Sequence, residues 1–481
     1  MAVLDGLEPK SVWRFFEEIS AIPRASYHEK AVSDYVCEFA EKRGLTYYQD
    51  EIYNVVVIKE ATEGYEEKEP YIIQGHLDMV CEKTADSNIN FDTDGLELAI
   101  DGDFVYAKGT TLGGDDGIAV AYALALLDAK DIKHPRLEVV LTVSEEVGMD
   151  GARNIDLSML KGHRLLNIDS EEEGIFLTSC AGGCAVECHL PVEREQKEGV
   201  VYELHADGML GGHSGCEIDK GRANANLVLA RLLLECKNQT SLRAVLESGG
   251  LKDNAIPRTA DMTVLIAKEE KEQFIQTLKA GIEKLQKEYG TSDPDLSVSV
   301  TKTKEDAKEW VLTEASHKKV VLLMNLLPAG VQRMSADVEG LVETSLNLGI
   351  CRLDEKELLL CYSIRSSVGT AKENLVEKIR LFIEAEGGRC EVNGDYPAWE
   401  YRKDSALREN MIQLYENMFG KKPQVQAIHA GLECGLLSGK IQNLDCVSFG
   451  PDIFDIHTVE ERLSIYSTES VWKYLLALLE C

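Results

Sequence analysis

The stretch TTLGGDDGIAVAYALALL, residues 110–127, places two adjacent aspartates, Asp115 and Asp116, between a glycine pair and a long apolar run. The run predicts a strong helix, and it lies between short β-branched segments such as YIIQ at 71 and RLEVVLTVS at 136. Helices that alternate with such strands indicate an α/β fold, a sheet covered by helices. An aspartate before a helix is also a good N-cap, so this stretch alone does not separate helix capping from chemistry.

Length and composition set the class of protein. A chain of 481 residues is too long for one ordinary core, and two or three domains are expected. Hydrophobic residues make up 44% and charged residues 28%, which is typical of a globular protein. The first segment has no basic flank before an apolar core, and no apolar run approaches the roughly 18 residues that cross a bilayer. We therefore expect a cytoplasmic protein.

The net charge argues against some classes of partner, and the cysteine pattern argues against disulfides and a thiolate metal site. The chain has 51 basic and 83 acidic residues, a net charge of −32. Such a surface repels nucleic acid and anionic lipid, so neither a nucleic-acid nor a membrane partner is expected. The 13 cysteines fit reduced core thiols better than a disulfide framework. Cys180, Cys184 and Cys188 are spaced by four, which would put them on one face of a single strand, and core packing is favoured over a metal site.

A change of pattern along the chain predicts the domains. We expect residues 1–183 to form the first part of one domain, 184–394 an inserted domain, and 395–481 the rest of the first domain. The insert has more amphipathic strands and solvated helices. Its order of elements repeats, so two α+β halves are predicted, at about 184–292 and 293–394.

Histidines and acidic residues follow several predicted strands at their carboxyl ends. These residues are His76, Asp78, Glu145, Glu146, Asp169 and His457. Ligands of open α/β sheets bind in the crevice beyond those strand ends. Asp115 lies in a glycine-containing loop that is expected at the same edge of the sheet. Each residue alone is more often a turn, cap or structural residue. Five loops that converge on one edge favour a site.

Imidazole and carboxylate groups in this mixture suit zinc or a similar divalent ion. Two histidines and three carboxylates are enough for two ions if one carboxylate bridges them. Asp78 is better placed to orient the His76 ring than to bind metal. Glu145 and Glu146 point in different directions, so one can bind metal while the other acts as a base. A metal-assisted hydrolase requires this division of roles.

Six motifs in order resemble the signatures of the M20 metallopeptidases: GHLDMV, TTLGGDDGIAVA, SEEVGMDGA, NIDSEEEG, GGHSG and DIHTVEERLS. Three others, NAIPRTA, VETSLNLG and AIHAGLECGLL, resemble its aminoacyl-histidine dipeptidase subgroup. The resemblance runs from near residue 5 to the C-terminus. It implies a zinc-peptidase-like catalytic domain, a mixed sheet flanked by helices, with an inserted, internally doubled α+β lid domain.

The resemblance also implies roles around two divalent ions, zinc first, with manganese or cobalt as alternatives. The implied metal ligands are His76, Asp115, Asp169, Glu146 and His457. The first three surround one ion, and the last two surround the other together with Asp115, which bridges. Glu145 becomes the general acid/base, Asp78 orients His76, and the Asp115–Asp116 peptide bond is cis.

The resemblance places further residues in the inserted domain and near it. His213 in GGHSG corresponds to the histidine that stabilises the oxyanion, and Arg365 in IRSS to the arginine that holds the substrate carboxylate. Asn254, Glu433 and His429 are predicted to line the substrate cleft. A doubled lid supplies the histidine from its own chain, so a homodimer is allowed but not required.

The implied reaction is hydrolysis of unblocked dipeptides by metal-activated water, with a glutamate as general base. Aspartate at position 169 is typical of family members that accept a free amino terminus, whereas carboxypeptidase and deacylase relatives tend to have glutamate. The subgroup suggests Xaa-His substrates, including β-alanyl-histidine, and broad specificity. An N-acyl amino acid deacylase or a tripeptidase of the same fold is the alternative.

Overall fold

The computed structural model describes residues 3–481. The chain divides into two compact units. The first comprises the chain up to Ser179, Tyr401–Ala427 and Leu432–Cys481, and the second comprises Cys180–Glu400 and Ile428–Gly431. The boundaries thus lie after 179 and 400 rather than after 183 and 394, and the short return of 428–431 to the second unit is not in the predicted division.

The helices alternate with strands in the first unit and flank a larger sheet in the second. The helices are α1 Lys10–Ser20, α2 Lys30–Arg43, α3 Gly114–Asp128, α4 Asp150–Asn154, α5 Ala225–Lys237, α6 Lys271–Glu288, α7 Glu314–Leu326, α8 Gly369–Ala385, α9 Ala406–Phe419, α10 Glu433–Lys440 and α11 Ile465–Glu480. The strands are β1 Thr46–Gln49, β2 Val55–Lys59, β3 Tyr71–His76, β4 Leu98–Asp101, β5 Phe104–Ala107, β6 Leu137–Thr142, β7 Arg164–Asn167, β8 Ile175–Cys180, β9 Gly182–Pro191, β10 Arg194–Asp207, β11 Gly212–His213, β12 Arg243–Gly249, β13 Ala255–Ile256, β14 Ala260–Ile266, β15 Ser297–Leu312, β16 Gly330–Met334, β17 Val342–Leu353, β18 Glu357–Ser366, β19 Arg389–Tyr396, β20 Gln424–Ile428, β21 Asp445–Ser448, β22 Ile453–Phe454 and β23 Arg462–Ser464.

The first unit is built on an eight-stranded mixed sheet in the order β1-β2-β6-β3-β7-β21-β8-β20. Its centre, β6-β3-β7-β21, is parallel, while β2 and β8 pair with it in the antiparallel direction. Every residue of β3 and β6 is buried, because helices cover both faces of a parallel core. Helix α3 is buried on all sides from Gly117 to Leu127, which matches its uninterrupted apolar sequence.

The second unit is built on a nine-stranded sheet whose assigned pairs are antiparallel, in the order β15-β10-β14-β12-β17-β18-β9-β19, with β16 beside β17. The two predicted halves exchange strands in this sheet. β9, from the first half, lies between β18 and β19, and β15, from the second half, pairs with β10. One continuous sheet therefore crosses the predicted division at 292.

The three cysteines spaced by four do not share one strand. Cys180 ends β8, whereas Cys184 and Cys188 lie on β9 with their side chains in the core. The expectation of a single strand was wrong for Cys180, because the chain changes sheets at Ala181. All three are buried, and none of the candidate metal clusters among residues 3–481 contains a cysteine. Within the same residues, no helix combines the length and apolar character needed to cross a membrane.

Candidate active site

Neighbouring parallel strands of the first unit end side by side. The register pairs His76 with Thr142, so β3 and β6 end together, and pairs Gln74 with Asn167, the last residue of β7. The loops that follow these strands carry Asp78, Glu145, Glu146 and Asp169. The acidic residues that the sequence places after separate strands are thus brought to one edge of the sheet, as the topology requires.

Asp115 lies between the two imidazole groups of this edge. Its Oδ1 is 3.1 Å from His76 Nε2, and its Oδ2 is 3.2 Å from His457 Nε2. On the first side, Asp169 Oδ1 is 3.6 Å from the same His76 nitrogen. On the other side, Glu146 Oε1 is 2.9 Å from the His457 nitrogen. Each oxygen of one carboxylate therefore faces a different histidine, which is the arrangement a bridging ligand needs.

Three overlapping groups of side chains bring their ligand atoms within 4.8 Å of one another. They are His76 with Asp116 and Asp169, His76 with Glu145 and Glu146, and Asp115 with Glu146 and His457. The third group coincides with the ligand set that the family resemblance implies for one ion. The first contains Asp116 at the place where the resemblance implies Asp115.

Asp116 has a different environment from the one predicted for a helix cap. Asp115 and Asp116 have non-helical backbone angles, the peptide bond between them is cis, and the N-cap position of α3 is Gly113. The buried Asp116 side chain accepts a hydrogen bond of 3.1 Å from the His76 backbone N–H. This carboxylate therefore contacts β3, while Asp116 also remains an acidic residue at the start of α3.

Asp78 holds the neighbouring groups in place. Its Oδ1 lies 3.4 Å from His76 Nδ1, the ring nitrogen opposite the one that faces Asp115. The same carboxylate accepts hydrogen bonds from the backbone N–H groups of Glu145, at 3.0 Å, and Glu146, at 3.3 Å. Ser26 donates a further bond of 2.8 Å. One fully buried carboxylate thus orients the His76 ring and the loop that carries both glutamates.

The two histidines are held in the charged form by the surrounding carboxylates. The hydrogen bonds that the His457 ring donates to the Asp115 and Glu146 carboxylates raise its pKa to about 10. Burial lowers the pKa of His76, but the carboxylates of Asp115, Asp169 and Asp78 outweigh burial and raise it well above its usual value. The same two histidines lower the pKa of Asp115 against the opposing effect of burial. Positive charge is therefore favoured at both positions, whether it comes from a proton or a metal ion.

A polar cluster in the second unit contains His213. This residue lies on the short β11–β13 pairing, opposite Ala255. Its Nδ1 accepts backbone hydrogen bonds from Gly215, at 3.3 Å, and Cys216, at 3.2 Å. Burial and the charge of Arg365 lower the His213 pKa, so the ring is neutral and its remaining proton lies on Nε2. His213 can therefore donate a hydrogen bond from Nε2.

Arg365, on β18, lies beside that nitrogen. Its Nη2 is 3.5 Å from His213 Nε2, and its Nη1 donates a hydrogen bond of 3.0 Å to the Tyr396 hydroxyl. The Arg365 guanidinium and His213 Nε2 are both hydrogen-bond donors. They are therefore better suited to bind one anionic oxygen between them than to bond to each other. Tyr396 carries no motif in the sequence, and its contact with Arg365 arises only from the pairing of β19 with β9.

The other predicted cleft residues of this unit have distinct environments. His429 is buried, its Nε2 lies 2.7 Å from Ser345 Oγ, and burial lowers its pKa to about 4. Asn254 is exposed, and its backbone carbonyl accepts a hydrogen bond of 2.9 Å from Ser214, the residue after His213. His429 is therefore a neutral, hydrogen-bonded residue, whereas Asn254 leaves its side chain free for solvent or a ligand.

The comparisons with known proteins agree with the motifs. A model of peptidase family M20/M25/M40 matches residues 72–480. The chain belongs to this peptidase family. The predictions that it is an M20 metallopeptidase, and hence a hydrolase of peptide bonds, are confirmed.

Full-length relatives of this M20 peptidase carry dipeptidase names. The cytosol non-specific dipeptidase of Escherichia coli is 36% identical over 482 residues, which covers 100% of this chain and 99% of that one. The structure of an aminoacylhistidine dipeptidase from Vibrio alginolyticus matches with a TM-score of 0.93 at 38% identity, over 99% of this chain and 97% of that one. An aminopeptidase from Bacillus cereus shares the fold, with a TM-score of 0.56 at 14% identity over 98% of each chain. The predicted α/β class, a mixed sheet flanked by helices, is confirmed.

The donor set of the M20 peptidase fits divalent ions. Burial raises the pKa of Glu145, Asp169 and Asp116, and the neighbouring carboxylates raise it further. A buried group of like charges is costly unless cations compensate it. Imidazole nitrogens and carboxylate oxygens, with no thiolate, are the ligands that zinc, manganese and cobalt accept. The structure therefore contains a candidate metal site at this edge.

Two buried charges that sequence reasoning missed hold the Asp115 loop. Glu461 accepts backbone N–H bonds from Leu112 (2.8 Å), Gly113 (3.0 Å), Gly114 (2.8 Å) and Asp115 (3.4 Å). Arg24 donates to the carbonyl oxygens of Leu77, Asp78 and Gly113. A Cβ atom at Gly113 would lie 2.4 Å from the Arg24 guanidinium, so glycine is needed for this approach. Glu461 lies inside the DIHTVEERLS motif, whereas Arg24 has no spacing signal.

Glu433, predicted to line the cleft, is fully buried beneath the strands. Its Oε2 accepts hydrogen bonds from Gln74, at 2.5 Å, and Thr142, at 2.6 Å. Burial raises its pKa to about 8, and the charge of Asp169 adds to the effect. Glu433 therefore contacts the strand residues behind His76.

Proposed function

We propose that this M20 peptidase is a metal-dependent dipeptidase that hydrolyses unblocked dipeptides with broad specificity, including Xaa-His and β-alanyl-histidine. The observation that carries the metal dependence is Asp115, whose two oxygens face His76 and His457. The substrate class is supported by full-length similarity to a cytosol non-specific dipeptidase and to an aminoacylhistidine dipeptidase.

We assign two divalent ions, zinc first, with manganese or cobalt as alternatives, to His76, Asp115, Asp169, Glu146 and His457. Two ions held by this set would lower the pKa of a water molecule and polarise the scissile carbonyl. Both histidines must lose their protons to act as ligands, so metal binding releases protons and weakens as the pH falls.

Glu145 is the proposed general base. One of its oxygens lies within 4.8 Å of ligand atoms of His76 and Glu146, and Asp78 fixes its backbone. From this position Glu145 takes a proton from the attacking water and passes it to the leaving amine. The tetrahedral intermediate then collapses to a carboxylate and a free amine.

The second unit supplies the proposed substrate contacts. His213 donates from Nε2 to the oxygen that gains negative charge in the tetrahedral intermediate. Arg365, held by Tyr396, binds the free carboxylate of the substrate. Asn254 and His429 are proposed as further contacts with the substrate, and Glu433 as a support for the strands behind His76. Cytoplasmic location and a homodimer that is not required for activity belong to the same proposal.

The test is a hydrolysis panel on protein of measured metal content, with Xaa-His dipeptides, other dipeptides, tripeptides and N-acyl amino acids. Cleavage of the unblocked dipeptides is expected. Cleavage of only blocked substrates would identify an N-acyl amino acid deacylase, and cleavage of only tripeptides would identify a tripeptidase.

Glu145→Gln tests the mechanism on the same protein. Turnover should be lost while the metal content stays near that of the wild type, because Glu145 is not among the assigned ligands. Glu172→Gln, at an exposed position after β7, is the matched control and should keep wild-type turnover. Retained turnover in the Glu145 variant would refute the assignment of this residue as the base.

A further inference from the structure

Two cysteines of the second unit face each other across neighbouring strands. Cys188 on β9 and Cys390 on β19 are direct partners in the antiparallel register. Their side chains lie on the same face of the sheet, and the two sulfur atoms are 3.5 Å apart. Direct antiparallel partners have Cα separations of about 4.5–5.5 Å, which lie within the 4.4–6.8 Å range that disulfides span. The backbone thus permits a bond between these sulfurs.

The two thiols differ in exposure and in charge. Cys188 is fully buried, whereas Cys390 is half-buried and reachable from solvent. A hydrogen bond joins the two sulfur atoms. This bond lowers the pKa of the Cys390 thiol, and the positive charge of Arg380 acts in the same direction. Cys390 is therefore the more nucleophilic and more accessible sulfur of the pair.

We propose that Cys188 and Cys390 form an oxidative modification site that hydrogen peroxide converts to a disulfide. The Cys390 thiolate attacks one peroxide oxygen, the O–O bond breaks, and after protonation Cys390 sulfenic acid and water are formed. The Cys188 sulfur then attacks the Cys390 sulfur and expels a second water, which takes up the Cys188 proton. Two thiols and one peroxide give one disulfide and two waters.

The bond would fasten an edge strand of the second unit. Among residues 3–481, β19 pairs with β9 alone in the sheet order, and most of its residues are exposed. Its last residue, Tyr396, accepts the Arg365 hydrogen bond, and its backbone carbonyl accepts a bond of 2.7 Å from Lys372. A disulfide at Cys390 closes a loop of roughly 200 residues, which restricts the unfolded chain. Oxidation is therefore expected to stabilise β19 and the Arg365 contact.

The chain contains an internal control in the first unit. Cys434 and Cys446 also place their sulfur atoms 3.4 Å apart. Both are buried, at 0% and 5% exposure. A dissolved oxidant reaches neither sulfur without local unfolding. Proximity alone would predict oxidation of both pairs, whereas the proposal predicts oxidation of the Cys188–Cys390 pair alone.

The experiment exposes the native, full-length protein to a peroxide series, removes the peroxide with catalase, and alkylates the remaining thiols after denaturation. Mass spectrometry without reductant should find a peptide that links Cys188 to Cys390, with Cys434 and Cys446 alkylated. The thermal midpoint should rise on oxidation and return with dithiothreitol. Hydrogen exchange of β19 amides should slow in the oxidised protein.

Cys390→Ser should abolish both the linked peptide and the rise in thermal midpoint. Cys481→Ser, which removes another solvent-exposed thiol, is the matched control and should retain both. The proposal is overturned if Cys390 is recovered as sulfinic or sulfonic acid with no link to Cys188, if it links to a thiol of another molecule, or if the Cys434–Cys446 pair oxidises first.

Discussion

Replacing Glu461 by glutamine should weaken divalent-metal binding without removing any assigned ligand. The carboxylate accepts four backbone N–H groups of the segment that ends at Asp115. A glutamine side chain keeps one oxygen, but its NH₂ group would face N–H donors that it cannot bond. Hydrogen bonds to a charged group contribute about 1.5–3 kcal/mol each. Losing the two hydrogen bonds to one of the Glu461 oxygens should lower the free energy of unfolding by about 3 kcal/mol.

The effect on the metal follows from the position of the loop. Groups that orient metal ligands typically change metal affinity by about 10- to 100-fold when they are mutated. Asp115 is the proposed ligand of both ions, so an affinity loss in this range is expected for Glu461→Gln. The assay is competition with a chromogenic chelator, combined with denaturant unfolding of the metal-free protein.

Glu460→Gln is the matched control, since Glu460 is the adjacent residue and is exposed. It removes the same charge from the same segment and should leave metal affinity and stability within error of the wild type. Wild-type affinity in Glu461→Gln, or equal losses in both variants, would refute the reasoning that this carboxylate positions Asp115.

Two further predictions concern the second unit. Burial raises the pKa of Glu247 on β12 to about 8, above its usual value of 4.5, so the folded state binds a proton that the unfolded state releases. The contribution of this bound proton to stability is complete below pH 4.5 and is lost as the pH rises through about 8. Glu247→Gln should therefore stabilise the protein relative to wild type by about 3 kcal/mol more at pH 7 than at pH 4.5. Denaturant unfolding at the two pH values checks this, and the exposed Glu203→Gln should show no such difference. Arg365→Lys should raise KM for unblocked dipeptides by about 10- to 100-fold with a smaller change in kcat, because an ammonium cannot hold both Tyr396 and a carboxylate in the guanidinium geometry. Steady-state kinetics check this, with the exposed Arg352→Lys as the control. A fall in kcat alone for Arg365→Lys would contradict the prediction.

The sequence was sufficient to predict the main helices and strands around the candidate site and the sheet edge at which that site lies. The apolar run after Asp116 predicts α3, and the β-branched segments at 71 and 136 predict β3 and β6. These patterns involve residues that are close together in the sequence, so they can be recognised from the sequence alone. Histidines and acidic residues that follow such strands must meet at one sheet edge, because parallel strands share their carboxyl ends. The structure brings together the six residues that were predicted on this basis.

Other features arise only from contacts between distant parts of the chain. Glu461 is 346 residues from Asp115, and Arg24 is 89 residues from Gly113, so no local period marks either pair. Tyr396 reaches Arg365, and Cys390 lies beside Cys188, because the fold pairs β19 with β9 in this register. Asp116 shows the same limit: its position before a helix predicts a role at the helix start, whereas its hydrogen bond from the His76 backbone N–H depends on the packing of α3 against β3. Strand pairing and burial are decided by the whole fold, and they determined which charged residues support the site.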